Sequence, residues 1–199
     1  MPEKTRLRIF MTGVGGQGTL TATQLLARAL LAEGLSVTAG EIHGMAQRGG
    51  VVESTLLIGW KSPHIGRGEA DVLLGFEAVE TARALSYLKP GGLVLSSSET
   101  LWPVAVAMGK ASAPDLEKLR AEVEACAGRS AYLPTQYLGA QAGAVQSGNI
   151  ALLGALLAMD AVPLSMGTME QTIRDNLKAS IAEINLTALR LGFDAASRA

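Results

Sequence analysis

The sequence predicts an α/β fold in which helices cover both faces of a mostly parallel, mixed sheet, a three-layer α/β/α arrangement built from residues 1–199 as one domain. Three observations lead there. Apolar, β-branched runs alternate with stretches of helical periodicity, which favours parallel strands joined by right-handed crossovers. A glycine-rich turn, Gly13-Val14-Gly15-Gly16-Gln17-Gly18, separates the first such run from the first helical pattern. A chain of 199 residues, 48% of them hydrophobic, is long enough for one well-buried core and too short for two.

The elements follow in order. Leu7 to Met11 is a strand that feeds the glycine turn. Ala22, Leu25, Leu26, Ala29 and Leu30 recur at helical spacing, with Gly34 as the C-terminal stop. Leu35 to Ala39 reads as a short strand, Gly40 to Gly50 as a second glycine-rich loop, and Val51 to Ile58 as a strand. Gly59 to Glu69 is a Pro- and Gly-containing loop, and Asp71 to Gly75 a buried strand. Glu77 to Leu88 is helical, Lys89-Pro90-Gly91-Gly92 stops it, and Leu93 to Ser97 returns to the sheet. Val104 to Met108 reads as a strand of undetermined direction, and Pro114 opens a helix reaching about Ala127. Ala131 to Leu133 is an edge strand, and Asn149 the N-cap of an apolar helix, Ile150 to Met159. Ile173, Leu177, Ile181, Ile184 and Leu189 stripe a single final helix.

The glycine turn carries the first chemical signal. Glycines let the backbone approach a ligand closely, and a helix beginning there turns unpaired N–H groups toward it, a setting for an anion or a carbonyl. The spacing Gly13, Gly15, Gly18 satisfies the G-x-G-x-x-G pattern of a Rossmann-like fold, and Glu41 lies about 20 residues on, where a ribose-binding acid is expected. Gly16 and Gln17 complete this turn, and Gly49 and Gly50 close the second loop. The two loops follow strands expected to be neighbours, which would set both at one carboxyl edge of the sheet, where ligands bind. Arg48 offers a fork of donors for a carboxylate or phosphate; tying the loop to Glu41 or Glu53 is the competing structural role. His43 titrates near neutrality, but no second ligand stands beside it for a metal.

Composition excludes several classes. A formal net charge of −1 without a dense Lys/Arg stripe is not the footprint of nucleic-acid binding. The longest apolar run ends at Asp160, short of the ~20 residues a membrane span needs. With only 18% charged residues, part of the apolar surface is expected to lie under another chain. The charged start, Pro2 to Arg6, is no signal peptide, so a cytoplasmic location is expected. Cys126 is the only cysteine, which rules out an internal disulfide and a four-cysteine iron–sulfur cluster.

Three segments taken together, Gly13 to Gly18, Glu41-Ile42-His43-Gly44-Met45-Ala46-Gln47-Arg48-Gly49-Gly50 and Glu69 to Glu77, resemble the gamma-type domain of the 2-oxoacid:ferredoxin oxidoreductases. Within that family the second segment is most similar to the beta subunits of indolepyruvate:ferredoxin oxidoreductases. The likeness runs from Arg6 to about Leu95, and more loosely from Gly148-Asn149 to the end.

The resemblance implies an accessory subunit of a complex that oxidatively decarboxylates a 2-oxo acid, an aryl pyruvate such as indolepyruvate, passing the acyl group to coenzyme A and electrons to ferredoxin. Thiamine diphosphate, magnesium and the iron–sulfur clusters would sit on a large partner subunit, and this chain would hold no cofactor tightly. The lack of a Gly-Asp-Gly thiamine motif agrees. The chain would be a hetero-oligomer in the complex, a homodimer when alone, and inactive by itself. The resemblance turns the Gly13 to Gly18 turn and the Gln47-Arg48-Gly49-Gly50 loop toward the partner's active site. His43, Gln47 and Arg48 are the candidates nearest the chemistry. Two other readings stay open, a free-standing NAD(P)- or FAD-binding oxidoreductase and a non-catalytic interaction module.

Overall fold

A computed structural model describes residues 6–43, 49–102 and 104–198, with the side chains of 43, 104 and 105 outside that description. Six strands form one sheet: β1 (Leu7–Val14), β2 (Val37–His43), β3 (Val51–Ile58), β4 (Ala70–Gly75), β5 (Leu88–Ser97) and β6 (Arg129–Leu133), in the order β2-β3-β1-β4-β5-β6. β1, β4, β5 and β6 run parallel, while β3 is antiparallel to both β1 and β2. The sheet is therefore mixed, and β2 is not the neighbour of β1. Only residues 44–50 join β2 to β3, too few for a parallel crossover, so the chain turns straight back.

One face carries α1 (Thr19–Ala32), α6 (Gly148–Ala158), α7 (Met166–Asn176) and α8 (Ala179–Ala196), packed on Ile9, Met11, Leu56, Leu74 and Leu95. The other carries α2 (Ala78–Arg83) and α4 (Leu116–Cys126), with Phe10, Leu57, Leu73, Val94 and Val123 as its core. There Phe10 stacks on Tyr87 with ring centroids 4.1 Å apart. These are the three layers expected. β1 is buried on both faces, which is why Ile9-Phe10-Met11 reads as an unbroken apolar run.

Helix α6 is apolar all round because it is enclosed between the sheet and α8; Gly148 through Leu157 are all buried. The two helices touch backbone to backbone. A Cβ on Gly154 would meet the carbonyl of Leu189, and one on Gly192 the carbonyl of Ala151.

Several boundaries differ from the sequence reading. β2 continues through Gly40 to His43, since pairing with β3 holds it extended as far as Val52. The helix after Glu77 ends at Arg83 and tightens into a 3-10 turn, Ala84–Tyr87. β5 already begins at Leu88, and the register shift between Ala70 and Val72 accommodates Lys89 to Gly92 inside the strand. Val104–Ala107 is a helical turn, α3, rather than a strand. Thr135–Ala142 forms a helix, α5, that the sequence reading left out. The final stripe belongs to two helices, because Leu177 and Lys178 are extended between α7 and α8 while both helices face one core.

Candidate functional site at the carboxyl rim

The glycine turn leaves the carboxyl end of β1, and its shape is held from within. Gln17 accepts a hydrogen bond from the Val14 amide at 2.8 Å through Oε1 and donates through Nε2 to the Phe76 carbonyl at 3.2 Å. The Gln17 amide itself donates to the Val14 carbonyl at 3.1 Å. Gly13 has no room for a Cβ, which would lie 2.9 Å from Thr19 Oγ1 and 3.0 Å from Phe76 Cβ. Gly18 then starts α1 with φ of 79°, the left-handed region that L residues avoid.

The second glycine segment is hydrogen-bonded to the first. The Gly15 amide donates to the Gly50 carbonyl at 2.8 Å, and the Gly49 amide to the Gly15 carbonyl at 3.3 Å. This happens because β3 runs backwards beside β1, so its start meets the end of β1 at the Val14–Val51 pair. The two loops share one rim, through a different strand from the one the sequence suggested.

Beside the turn lies a cleft of about 290 Å³. Gly15 to Gln17 form one wall, Phe76 and Leu101 from the ends of β4 and β5 its floor, and Thr135-Gln136, Gln146 and Gly148-Asn149 the far side. Residues at the amino ends of α1, α5 and α6 thus line one space; the first amides of two of them are already taken, Gln136 N–H by the Glu99 carboxylate and Gly148 N–H by the Val145 carbonyl. Two further hollows, of about 260 and 320 Å³, flank the turn and share Gly16 and Gly18.

Asn149 is not the N-cap of α6. That position is Ser147, reached through a 3-10 turn, and Asn149 lies inside the first turn. Its Nδ2 donates to the Gly18 carbonyl at 2.9 Å, while its Oδ1, in a residue only 8% exposed, has no partner among the described residues. Thr19 Oγ1 is likewise buried without one. Neither feature is visible from local sequence.

Glu41 lies exposed on β2 opposite Ser54, with β3 between it and the glycine turn. In a dinucleotide-binding sheet the acid ends the strand adjoining β1. His43 ends β2 opposite Val52. Its side chain, and all of Gln47 and Arg48, lie outside the described residues.

On the opposite face three carboxylates sit below the rim. Glu77, 1% exposed, caps α2 by accepting from the Glu80 amide at 2.8 Å. Burial pushes its carboxyl above the ordinary value, an effect partly offset by backbone amides that point at it. Glu53 on β3 is raised first by burial and then by the charge of Glu80, which pairs with Arg83 at 2.7 Å. Among the described residues no group of three His, Cys, Asp or Glu is placed to hold a metal ion, and no helix is long and apolar enough to cross a membrane.

Large apolar side chains stand exposed around the cleft: Leu101, Trp102, Tyr137 and Val145, the most open being Tyr137 at 57%.

Fold and rim together define a small three-layer α/β protein with a candidate cleft at the strand ends. The profile of the pyruvate ferredoxin/flavodoxin oxidoreductase family matches residues 8–195, and the chain belongs to that family. It is 35% identical to the indolepyruvate oxidoreductase subunit IorB of Archaeoglobus fulgidus, over 96% of each chain. To the protein of the same name from Pyrococcus horikoshii it is 40% identical, over 94% of this chain and 95% of that one. Its fold is that of a keto/oxoacid ferredoxin oxidoreductase gamma subunit from Geobacter sulfurreducens, with a TM-score of 0.71, 22% identity and coverage of 97% and 99%. It also superposes on part of the 2-oxoglutarate:ferredoxin oxidoreductase of Magnetococcus marinus, with a TM-score of 0.74 at 19% identity, covering 99% of this chain and 32% of that one. The chain is a subunit of a 2-oxoacid:ferredoxin oxidoreductase.

Proposed function

We propose that this subunit closes over the thiamine site of a large partner and holds the coenzyme A side of the reaction at its own rim, with indolepyruvate or a related aryl pyruvate as substrate. In that reaction a 2-oxo acid and coenzyme A give an acyl-thioester and carbon dioxide, and two electrons pass singly to ferredoxin. The observation that carries the reading is the pair of glycine segments hydrogen-bonded to each other at the rim, beside a cleft lined by residues at three helix amino ends.

The donor set fits this division of labour. A chain with one cysteine, exposed on α4, cannot ligate a four-cysteine cluster, so the iron–sulfur chemistry belongs to the partner, as do thiamine diphosphate and magnesium. The glycine turn brings bare backbone to the amino end of α1, a setting that suits the phosphates and thioester carbonyl of an acyl-coenzyme A. Gly16 leaves the backbone bare for close approach. Coenzyme A supplies the thiol that takes the acyl group; the residues here orient its chain and exclude water. The substrate assignment rests on the names of the full-length relatives. The interposed β3 speaks against the dinucleotide reading of Glu41.

The test is co-expression with the large subunit, purification, and a ferredoxin- or viologen-coupled assay on indolepyruvate and pyruvate. The assembled complex is expected to turn over indolepyruvate faster, and the lone chain to turn over neither. Unaided turnover by the lone chain, or a stronger thermal shift with a nicotinamide or flavin dinucleotide than with coenzyme A, would overturn the reading.

A further inference from the structure

We propose that the outer edge of β2 pairs antiparallel with the same edge of a second copy of this chain, joining two sheets into one across a twofold axis at Gly40. β2 is the end strand of the sheet, bonded to β3 on one side from Val37–Ile58 to His43–Val52. Among the described residues no strand pairs with its other side.

Which groups face outward follows from one hydrogen bond. The Gly59 amide donates to the Ser36 carbonyl at 2.8 Å, in the pair that extends the β2–β3 register by one residue. Antiparallel strands alternate, so Ser36, Thr38, Gly40 and Ile42 turn their backbone groups toward β3. Val37, Ala39, Glu41 and His43 turn theirs outward. An edge of this kind is normally blunted by proline, a bulge, several charges or short length. β2 has no proline, pairs in unbroken register, carries one charged residue, Glu41, and leaves Ile42 59% exposed.

The edge is also self-complementary. Centred on Gly40, antiparallel pairing sets Ala39 against Glu41, Val37 against His43 and Thr38 against Ile42, so every outward residue is used and no like charges meet. Shifting the axis to Glu41 would face Glu41 with its own copy, which is unfavourable. Shifting it to Ala39 leaves His43 without a partner on the strand. The isologous arrangement closes on itself, so it yields a dimer rather than a filament. Because the paired strands run in opposite directions, the two clefts point away from each other and stay open to a large subunit. The inference is independent of what the cleft binds.

The test uses the full chain in sedimentation equilibrium, with Ala39→Pro as the variant. That change removes an outward N–H and leaves the ladder to β3 intact, since proline is tolerated on an edge strand whose N–H faces solvent. Wild type is expected to dimerise, and Ala39→Pro to raise the dimer dissociation constant at least tenfold with an unchanged circular dichroism spectrum. Amide exchange in wild type gives a second readout. The amides of Val37, Ala39, Glu41 and His43 should be slow at high concentration and accelerate on dilution, while those of Thr38, Gly40 and Ile42 stay protected. A monomer at all concentrations, a dimer indifferent to Ala39→Pro, or outward amides that exchange fast in the dimer would each overturn the proposal. So would outward amides protected only once the large subunit is added, which would give the edge to that partner. If Ala39→Pro does not fold, the wild-type exchange pattern decides alone.

Discussion

The side-chain amide of Asn149 donates to the carbonyl oxygen of Gly18 at 2.9 Å, so the first turn of α6 holds the left-handed residue from which α1 starts. Removing it in Asn149→Ala deletes one largely buried hydrogen bond, and a loss of about 1 kcal/mol in unfolding free energy is expected by urea titration. Asn149→Asp should cost more, because an acceptor-only carboxylate then faces the Gly18 carbonyl. In the assembled complex both variants should raise the KM for coenzyme A.

The contact between α6 and α8 gives a sharper stability test. Gly192→Ala drives a methyl into the Ala151 carbonyl, and backbone cannot step aside as a side-chain end can. A loss of about 3 kcal/mol, the upper end for overpacking, is expected in chemical denaturation. Gly167→Ala, where a Cβ meets nothing within 4 Å, serves as the neutral control.

Glu53 predicts a pH dependence with a definite sign. Its folded carboxyl titrates above the ordinary 4.5, from burial first and the Glu80 charge second, so the folded state holds the proton more tightly than the unfolded chain does. Its contribution favours folding below the ordinary value and is lost as pH rises through the raised one. Glu53→Gln removes the titration. Melting curves of variant and wild type should differ least at pH 4 and separate in favour of the variant toward pH 7.

How far the sequence foretold the molecule depends on the range of the interactions involved. The strand, glycine turn and helix over residues 7–32 were legible because period and turn residues are local signals. α5 was not, since Gly139 interrupts it, Gly143 stops it after 8 residues and it buries few large side chains. The break at Leu177-Lys178 was hidden by a stripe that both helices present to the same core. Within the site, Gly13 to Gly18 and Gly49-Gly50 stood out by composition. The grip of Asn149 on Gly18, 131 residues away, and of Gln17 on Phe76 exist only after folding. The antiparallel placement of β3 could have been read from the short connection over residues 44–50.

Trp102 and Tyr137 belong to the exposed apolar cluster beside the cleft. Replacing either with alanine should leave the lone chain's melting temperature within a degree or two, yet weaken capture of the large subunit by about 2 kcal/mol, as for buried aromatic anchors at interfaces. Biolayer interferometry with the immobilised large subunit would measure it. Arg48→Ala is expected to do the reverse, lowering turnover of the assembled complex while binding to the partner is unchanged.

Gln17 closes its own turn by reaching Val14 on one strand end and Phe76 on the next. The loop is therefore set in shape before any other molecule arrives, and docking spends no entropy on ordering it. If the rim meets the large subunit as proposed, this turn comes to it already shaped, and its fit is decided when the chain folds.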